Sequence, residues 1–442
     1  MSAKVHRLDL KPMRPLPAGR AAIVTVIDIG SEKICCLIAK LRPSSREREG
    51  ALHSHDIRIQ GIGYHRSAGI KSGVIMDMDA AEGAIRRAVD AAERMSGATV
   101  ENVIVSVSAG RISSDTFSAE IGIKGSEITE NDVHRVLQAG REFSLADGRT
   151  VLHSLPIGYV LDEQRGIGDP VGMVGNTLGV DMNVVTADIA PLRNLVLCLE
   201  RCHLDVEALV AAPYASALGA LTPDELRIGT GCIDIGAGTT NVSVFFNGSF
   251  VFADAIAIGG HHVTMDLARG LSTSIQHAER IKALHGNALA GGDYDDTHTV
   301  TVPRVGSVMD EDIMQVPRST INGIIRPRVE EILEIMRDRL VKSGAFGVTG
   351  RRMVLTGGGS MMTGVVELAE RILECRIRIG RPQSVEGLPE TAHAPGFSAA
   401  IGLLVYPQVA QIEHFEPRKS MAVLRGAGGY FGRIGRWLKE SF

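Results

Sequence analysis

Val26-Ile27-Asp28-Ile29-Gly30-Ser31-Glu32-Lys33-Ile34-Cys35-Cys36-Leu37 and Cys232-Ile233-Asp234-Ile235-Gly236-Ala237-Gly238-Thr239-Thr240-Asn241-Val242-Ser243 repeat one pattern in two parts of the chain. In each, an apolar strand ends in Asp-x-Gly, small or hydroxylated residues turn the chain, and a second apolar strand begins. This reads as a β-hairpin whose turn is built to approach an anion. Glycine removes the Cβ that would keep backbone N–H groups away from phosphate oxygens. An aspartate at the strand end is placed to hold Mg²⁺ through water, because that ion gives up its hydration shell reluctantly. Two such half-clamps, one per domain, can close on a nucleotide from both sides.

Working outward, the run Met353 to Glu370 (M-V-L-T-G-G-G-S-M-M-T-G-V-V-E-L-A-E) reads as a buried strand, a glycine turn and an amphipathic helix. Gly357, Gly358, Gly359 and Ser360 would let backbone approach an α-phosphate or adenosine, with the helix N-terminus adding a favourable dipole. Alone, three glycines mark an ordinary turn. In the order Asp-x-Gly, Asp-x-Gly, Gly-Gly-Gly, the combination resembles the actin-like ATPase superfamily, which includes actin, heat-shock chaperones and sugar kinases.

The 442 residues exceed one ordinary domain, and 44% are hydrophobic, enough for sizeable cores. A formal net charge of −4 gives no basic field for nucleic acid, and 4% aromatic residues argue against base-stacking platforms. Six cysteines form no disulfide framework; Cys198 and Cys202, followed by His203, read as buried reduced thiols before a metal site. No secretory signal is visible, and the uncharged stretch around Gly396 to Tyr406 has the length of a buried helix, short of a membrane span.

Along the chain, residues 1–20 read as a disordered tail and 42–56 as a polar loop. Asp79, with Glu82 three residues on, is expected to cap a helix that Gly97 stops; Thr129 is expected to cap another. Residues 98–178 carry no phosphate signature and read as a small α+β module. Ser274 to Leu284 reads as a helix with Glu279 and Lys282 on one face, by itself an ordinary solvated ion pair.

The last thirteen residues differ in kind. Tyr430, Phe431, Ile434, Trp437, Leu438 and Phe442 recur at helical spacing, while Arg433, Arg436 and Lys439 fill the other side. A helix of this composition lies in a membrane interface. Each buried large side chain gives ~1.5–3 kcal/mol, and each basic residue near an anionic surface ~1 kcal/mol. Ordering the segment costs ~1–2 kcal/mol per residue. One helix therefore binds reversibly, and firm attachment needs several copies on one polymer. Docking of the segment on the protein's own core is the competing reading, and the Gly-rich stretch before it favours a detached helix.

With these residues in hand, the chain from about Ala21 onward resembles the FtsA family of actin-like bacterial cell-division proteins. The likeness extends to R-S-A-G-I-K-S-G-V-I-M-D-M-D (66–79), V-L-H-S-L-P (151–156), H-A-E-R-I-K-A-L-H-G (277–286) and the terminal R-W-L-K-E-S-F. It implies an α/β, two-lobed, duplicated ribonuclease H-like ATPase fold. Domain 1A would span 21–97 and 179–222, a small α+β domain 1C 98–178, domain 2A 223–255 and 326–406, and domain 2B 256–325. A linker over 407–429 would lead to a membrane-targeting helix over 430–442. ATP and Mg²⁺ are the implied cofactors. Asp28 and Asp234 would lie near Mg²⁺. Gly30, Ser31 and Lys33 would meet the β- and γ-phosphates together with Gly236, Ala237, Gly238, Thr239 and Thr240. Glu279 and Lys282 would contact ribose and adenine, and Gly357 to Ser360 adenosine. The implied partners are the FtsZ C-terminal peptide through 2B, further copies in a filament, later division proteins through 1C, and an anionic membrane on the cytoplasmic side of the inner membrane. No nucleic acid partner is implied.

One departure bears on chemistry. Where chaperones and actin carry a Glu or Gln that positions the attacking water, this chain has Ala212, so no catalytic residue is assigned and weak hydrolysis at most is expected. A kinase of the same superfamily would need a substrate-side general base, for which no residue has a convincing context. A chaperone would need a large domain after residue 406. An actin-fold scaffold that never polymerises is compatible with the sequence.

Overall fold

The computed structural model describes residues 13, 15–17, 19–44, 54–141, 145–289, 293–305 and 313–410. The proposed terminal helix (430–442), all but the first residues of the proposed linker (407–429), and residues 45–53 of the polar loop lie outside that set.

Two sheets share one plan. In the first lobe the strand order is Asp205–Ala211, Asn102–Val107, Ala22–Ile29, Lys33–Pro43, His55–Arg66. The two leading strands run parallel to Ala22–Ile29, and the hairpin that follows is antiparallel, with Asp28 opposite Cys35. In the second lobe the order is Arg376–Ile379, Arg352–Thr356, Thr230–Ile235, Thr240–Phe246, Ser249–Ile256, again parallel then antiparallel, with Asp234 opposite Asn241. The repeated Asp-x-Gly thus occupies the same topological point in both sheets: the end of a central strand buried on both faces, which is why the sequence there is continuously apolar.

Helix Met78–Ser96 packs on strand His55–Arg66 through a stripe of Ala81, Ile85, Ala88 and Ala92. Its N-cap is Asp77, whose carboxylate accepts from the Ala80 N–H at 3.0 Å, so the cap lies two residues before the expected Asp79. Gly97 closes the helix in the left-handed conformation. Helices Ala212–Ala220 and Ser398–Val409 pack against each other across Ala215, Gly219 and Gly402. The uncharged stretch is therefore a core helix, and no helix among the described residues is long and apolar enough to cross a membrane.

The second sheet continues beyond its lobe. Ser113 pairs with Asp254, and the sheet runs on through Ser113–Gly122, Thr177–Asp188, Arg149–Leu161 and Gln164–Ile167. Helix Glu130–Ala139, capped by Thr129 and Asp132, covers this extension over a small core that includes Ile128, Val136, Leu178 and Met182. Above the second lobe, helices Gly260–Gly270 and Ile275–His285 stand beside a small hairpin, Thr299–Pro303 with Ile313–Pro317, and the 25-residue helix Arg318–Lys342 returns to the sheet.

Four expected boundaries shift. Asn102–Val107 sits inside the first-lobe sheet, so the module's sheet starts at Ser113, well after residue 98. Thr177–Asp188 pairs with Ser113–Gly122 over ten residues, so the chain re-enters the first lobe at helix Ile189–Arg201 and not at 179. The boundary at 325/326 falls inside a continuous helix, and the helix that precedes the proposed linker runs past 406 to Val409. The N-terminal segment also departs from a disordered tail over its last part. Met13 is buried in the first-lobe core, Leu16 packs on it, and His55 Nε2 lies 3.3 Å from the Pro17 carbonyl oxygen.

Candidate functional site

Both turns close identically. The Gly30 N–H donates to the Lys33 carbonyl at 3.0 Å, and the Gly236 N–H to the Thr239 carbonyl at 2.9 Å. The turns face each other so closely that a Cβ on Gly238 would stand 2.3 Å from Ser31 Oγ. Between them opens a cavity of about 520 Å³ that also reaches the glycine turn and helix Ile275–His285. Of the residues expected at a nucleotide, Asp28, Gly30, Ser31, Lys33, Asp234, Gly236, Ala237, Gly238, Thr239, Glu279, Lys282, Gly357, Gly358 and Gly359 all line it.

Two expected residues do not. Thr240 is buried and donates to the Ile258 carbonyl at 2.8 Å; strand alternation turns it away from the face shown by Thr239 and Asn241. Ser360 is buried in a 3₁₀ turn and donates back to the Gly357 carbonyl at 2.8 Å, so it holds the turn's shape. Helix Val365–Leu373 begins only after that turn and Gly364, so it does not start at the glycines as expected, and the dipole argument for it lapses.

The two aspartates are partly buried and line the floor of the cleft. Ser106 Oγ donates to Asp28 Oδ1 at 2.6 Å, and Ser216 Oγ donates to Asp234 Oδ2. Burial pushes the Asp28 carboxyl above the usual range, against the opposing Ser106 hydrogen bond and Lys33 charge. Burial pushes Asp234 up to about 6; Ser216 opposes this and the nearby Asp28 charge adds to it. Burial likewise lowers Lys33. Lys33 Nζ donates to the Gly396 carbonyl at 2.9 Å and lies 3.1 Å from the centre of the Phe397 ring. Two acids facing each other across a partly buried cleft are costly without a cation between them. Asn241, beside Asp234, has its Oδ1 buried with no hydrogen-bond partner. A hydrated divalent cation would supply both the missing charge and the missing donor.

The glycine turn is shaped by the second aspartate. Gly357 has φ +82°, and a Cβ there would stand 2.1 Å from Asp234 Oδ1. On the far wall, Lys282 Nζ donates to Glu279 Oε2 at 2.7 Å, to Thr264 Oγ1 at 2.8 Å and to the Gly260 carbonyl at 3.0 Å. Lys282 is largely buried and Glu279 half exposed, so this is a built wall of the cleft and no solvated surface pair. Although burial pulls the other way, Lys282 and Thr264 hold the Glu279 carboxyl below its ordinary range. Ala212, at the start of its helix, lines the floor with a methyl group.

Sequence reasoning missed Asn241, Ser106, Ser216 and His261. Asn241 follows from alternation, two positions after Thr239. Ser106 and Ser216 reach the aspartates from other elements, and no local signal marks them. His261 is brought to the rim by its N–H donating to the Ala237 carbonyl at 2.8 Å.

Comparison with known proteins agrees with this architecture. The model of the cell division protein FtsA family matches residues 231–402, and that of the SHS2 domain inserted in FtsA matches residues 109–186. Cell division protein FtsA of Rhizobium meliloti (strain 1021) is 49% identical over 433 residues, covering 98% of each chain. The chain belongs to the FtsA family. FtsA of Escherichia coli (strain K12) is 30% identical over 427 residues, 95% of this chain and 98% of that one. Among solved structures, a chain of the PilM–PilN type IV pilus biogenesis complex superposes with a TM-score of 0.59 at 14% identity, covering 87% of this chain and 98% of that one. MreB5 of Spiroplasma citri bound to ADP gives 0.52 at 14% identity, covering 90% of this chain and all of that one. These two establish the actin-like fold, and the FtsA match over 109–186 falls on the module that extends the second sheet.

Proposed function

We propose that this FtsA-family chain binds MgATP between its two Asp-x-Gly turns, polymerises on the cytoplasmic face of the inner membrane, and anchors the FtsZ ring there. The observation that carries the nucleotide part is the meeting of the turns, Ser31 against Gly238, over two partly buried acids and an unpartnered Asn241 oxygen. Asp28, Asp234 and Asn241 would hold the hydrated Mg²⁺, which supplies charge neutralisation for the phosphates. Backbone at Gly30, Ser31 and 236–239 would cradle those phosphates from both lobes, with Lys33 reaching in after leaving Gly396. Glu279 and Lys282 would receive ribose and adenine on the far wall, against the Gly357–Gly359 turn. With only the Ala212 methyl at the place where a relative would orient water, hydrolysis is slow.

The remaining roles rest on family membership and on the terminal sequence. Residues 430–442 would lie in an anionic membrane interface through their aromatic face. The unit built from helices Gly260–Gly270 and Ile275–His285 and the hairpin Thr299–Pro303 with Ile313–Pro317 would take the FtsZ C-terminal peptide, and the module from Ser113 to Asp188 would make polymer contacts and recruit later division proteins.

Vesicle co-sedimentation with ATP, comparing the full chain with one ending at Gly429 and followed by negative-stain microscopy, tests this reading. Filaments on vesicles should require the tail, and Trp437→Glu should release the protein while leaving ATP affinity intact. Equal sedimentation of both chains would place the membrane contact elsewhere. Absence of polymer under all conditions would favour a nucleotide-binding scaffold.

A further inference from the structure

Cys198 and Cys202 lie one helical turn apart at the end of helix Ile189–Arg201, where Cys202 is the C-cap and its N–H donates to the Cys198 carbonyl at 3.2 Å. Positions i and i+4 share one face with Cα atoms about 6 Å apart, and Cβ atoms about 5–6 Å apart must close by roughly 1–2 Å for a disulfide, which the helix end at the C-cap has to supply. Of the six cysteines, Cys35, Cys36, Cys198, Cys232 and Cys375 are buried, and Cys202 alone is partly open to solvent.

A charged cluster surrounds the pair. Arg86, on the facing helix Met78–Ser96, donates to the Arg201 carbonyl at 2.6 Å and pairs with Glu82 at 2.9 Å, which fixes its guanidinium beside Cys202. Arg201 pairs with Glu82 at 2.9 Å and with Asp79 at 2.7 Å. Cys202 Sγ lies 3.8 Å from the Glu82 carbonyl oxygen. The neighbouring Cys198 thiol lowers the Cys202 thiol, burial opposes this, and the Arg86 guanidinium assists. The other cysteines move the opposite way: burial pushes Cys35 up to about 12 and Cys375 up to about 11. A partly exposed thiol beside a guanidinium and a second thiol is the environment in which cysteines react.

We propose that Cys202 and Cys198 form an oxidisable dithiol, with Cys202 as the attacking thiolate, Cys198 as the resolving thiol, and hydrogen peroxide or a small organic peroxide as oxidant. Cys202 Sγ attacks one peroxide oxygen. The O–O bond breaks, hydroxide or alkoxide leaves, and the sulfur is oxidised to a sulfenic acid. Cys198 Sγ then attacks Cys202 Sγ; the S–S bond forms, the S–O bond breaks, and the departing hydroxide takes the Cys198 proton as water. Two thiols and one peroxide thus give one disulfide and two molecules of water or alcohol. Drawing the helix end together displaces the Arg201 carbonyl from Arg86 and loosens the link between two first-lobe helices. This inference is independent of the nucleotide and membrane readings.

The test uses the full reduced chain at neutral pH. Timed alkylation read by mass spectrometry should label Cys202 at least tenfold faster than any other cysteine. Stoichiometric hydrogen peroxide should join the tryptic peptides on either side of Arg201 through one disulfide. Cys198→Ser should stop at a Cys202 sulfenic acid captured by dimedone, and Cys202→Ser should remain unoxidised. Arg86→Gln should slow Cys202 alkylation several-fold, with Arg86→Lys restoring it. Cys202 labelling no faster than the buried cysteines in the unmodified protein, or peroxide leaving both thiols free, overturns the proposal whether or not the variants fold.

Discussion

In the first turn, Asp28 is held by Ser106, and Lys33 follows three residues after Gly30 to bring a cation into the cleft. In the second, Asp234 is held by Ser216, and the position matching Lys33 is Thr239. The backbone of the two turns is the same and the chemistry is not. Duplication preserved what geometry requires: a strand-end acid, a glycine, and a tight return of the chain. Charge differs between the two turns, with Lys33 on the first and the Asn241 oxygen and the Gly357 approach at the second. Neither half is a site alone, which makes occupation of the cleft a measure of how the lobes meet.

The comparison breaks most completely at Gly357. Gly357→Val puts a Cβ where Asp234 Oδ1 stands and demands φ +82° of a β-branched residue. Nucleotide affinity should fall at least a hundredfold in a fluorescent-ATP titration, with a lower melting temperature; affinity within twofold of the parent would remove the glycine turn from the site.

Asp234→Asn comes next and separates stability from binding. Its carboxyl is raised to about 6 in the folded chain, so the folded state binds a proton more tightly than the unfolded state. Without nucleotide, stability should therefore fall as pH rises from about 4 to 6 and stay low above that. Removing the charge should stabilise the empty protein at pH 7.5 by up to about 3 kcal/mol, one pKa unit being ~1.4 kcal/mol, while weakening MgATP at least tenfold. Thermal melts at pH 5 and 7.5 read the first effect, and a binding isotherm the second. A destabilised apo variant would show that Asp234 is held by more than its serine.

Lys33→Gln tests the asymmetry of charge. Affinity for ATP should drop about tenfold, and the loss should shrink for AMP, which lacks the phosphates that Lys33 would reach. Equal losses for both ligands would mean that Lys33 only braces the Gly396–Phe397 turn. The smallest effect belongs to Glu279→Gln on the far wall, a few-fold loss that is similar for ATP and ADP. A loss confined to ATP would place the pair at the phosphates.

How much of this was legible follows the same division. The paired turns could be read from residues alone, because an apolar run ended by Asp-x-Gly has few other uses. The module's edges could not. Asn102–Val107 and Thr177–Asp188 are both buried runs, and nothing within such a strand names the sheet it joins; pairing partners far along the chain decide that. Thr240 was misplaced by ignoring strand alternation, which also points to Asn241. Ser106 and Ser216 were beyond reach because their role exists only once separate elements meet. Asp77 displaced Asp79 as cap by two residues, within the ordinary uncertainty of a helix start.

The most direct measurement is an isothermal titration of ATP into the full chain with and without Mg²⁺, repeated with Asp28→Ala, Asp234→Ala and the pair combined. If both lobes close on one metal–nucleotide complex, Mg²⁺ should tighten binding at least tenfold. Each single change should then abolish most of that gain, and the double change should add little more. Full Mg²⁺ dependence surviving in either single variant would contradict a site shared between the two turns.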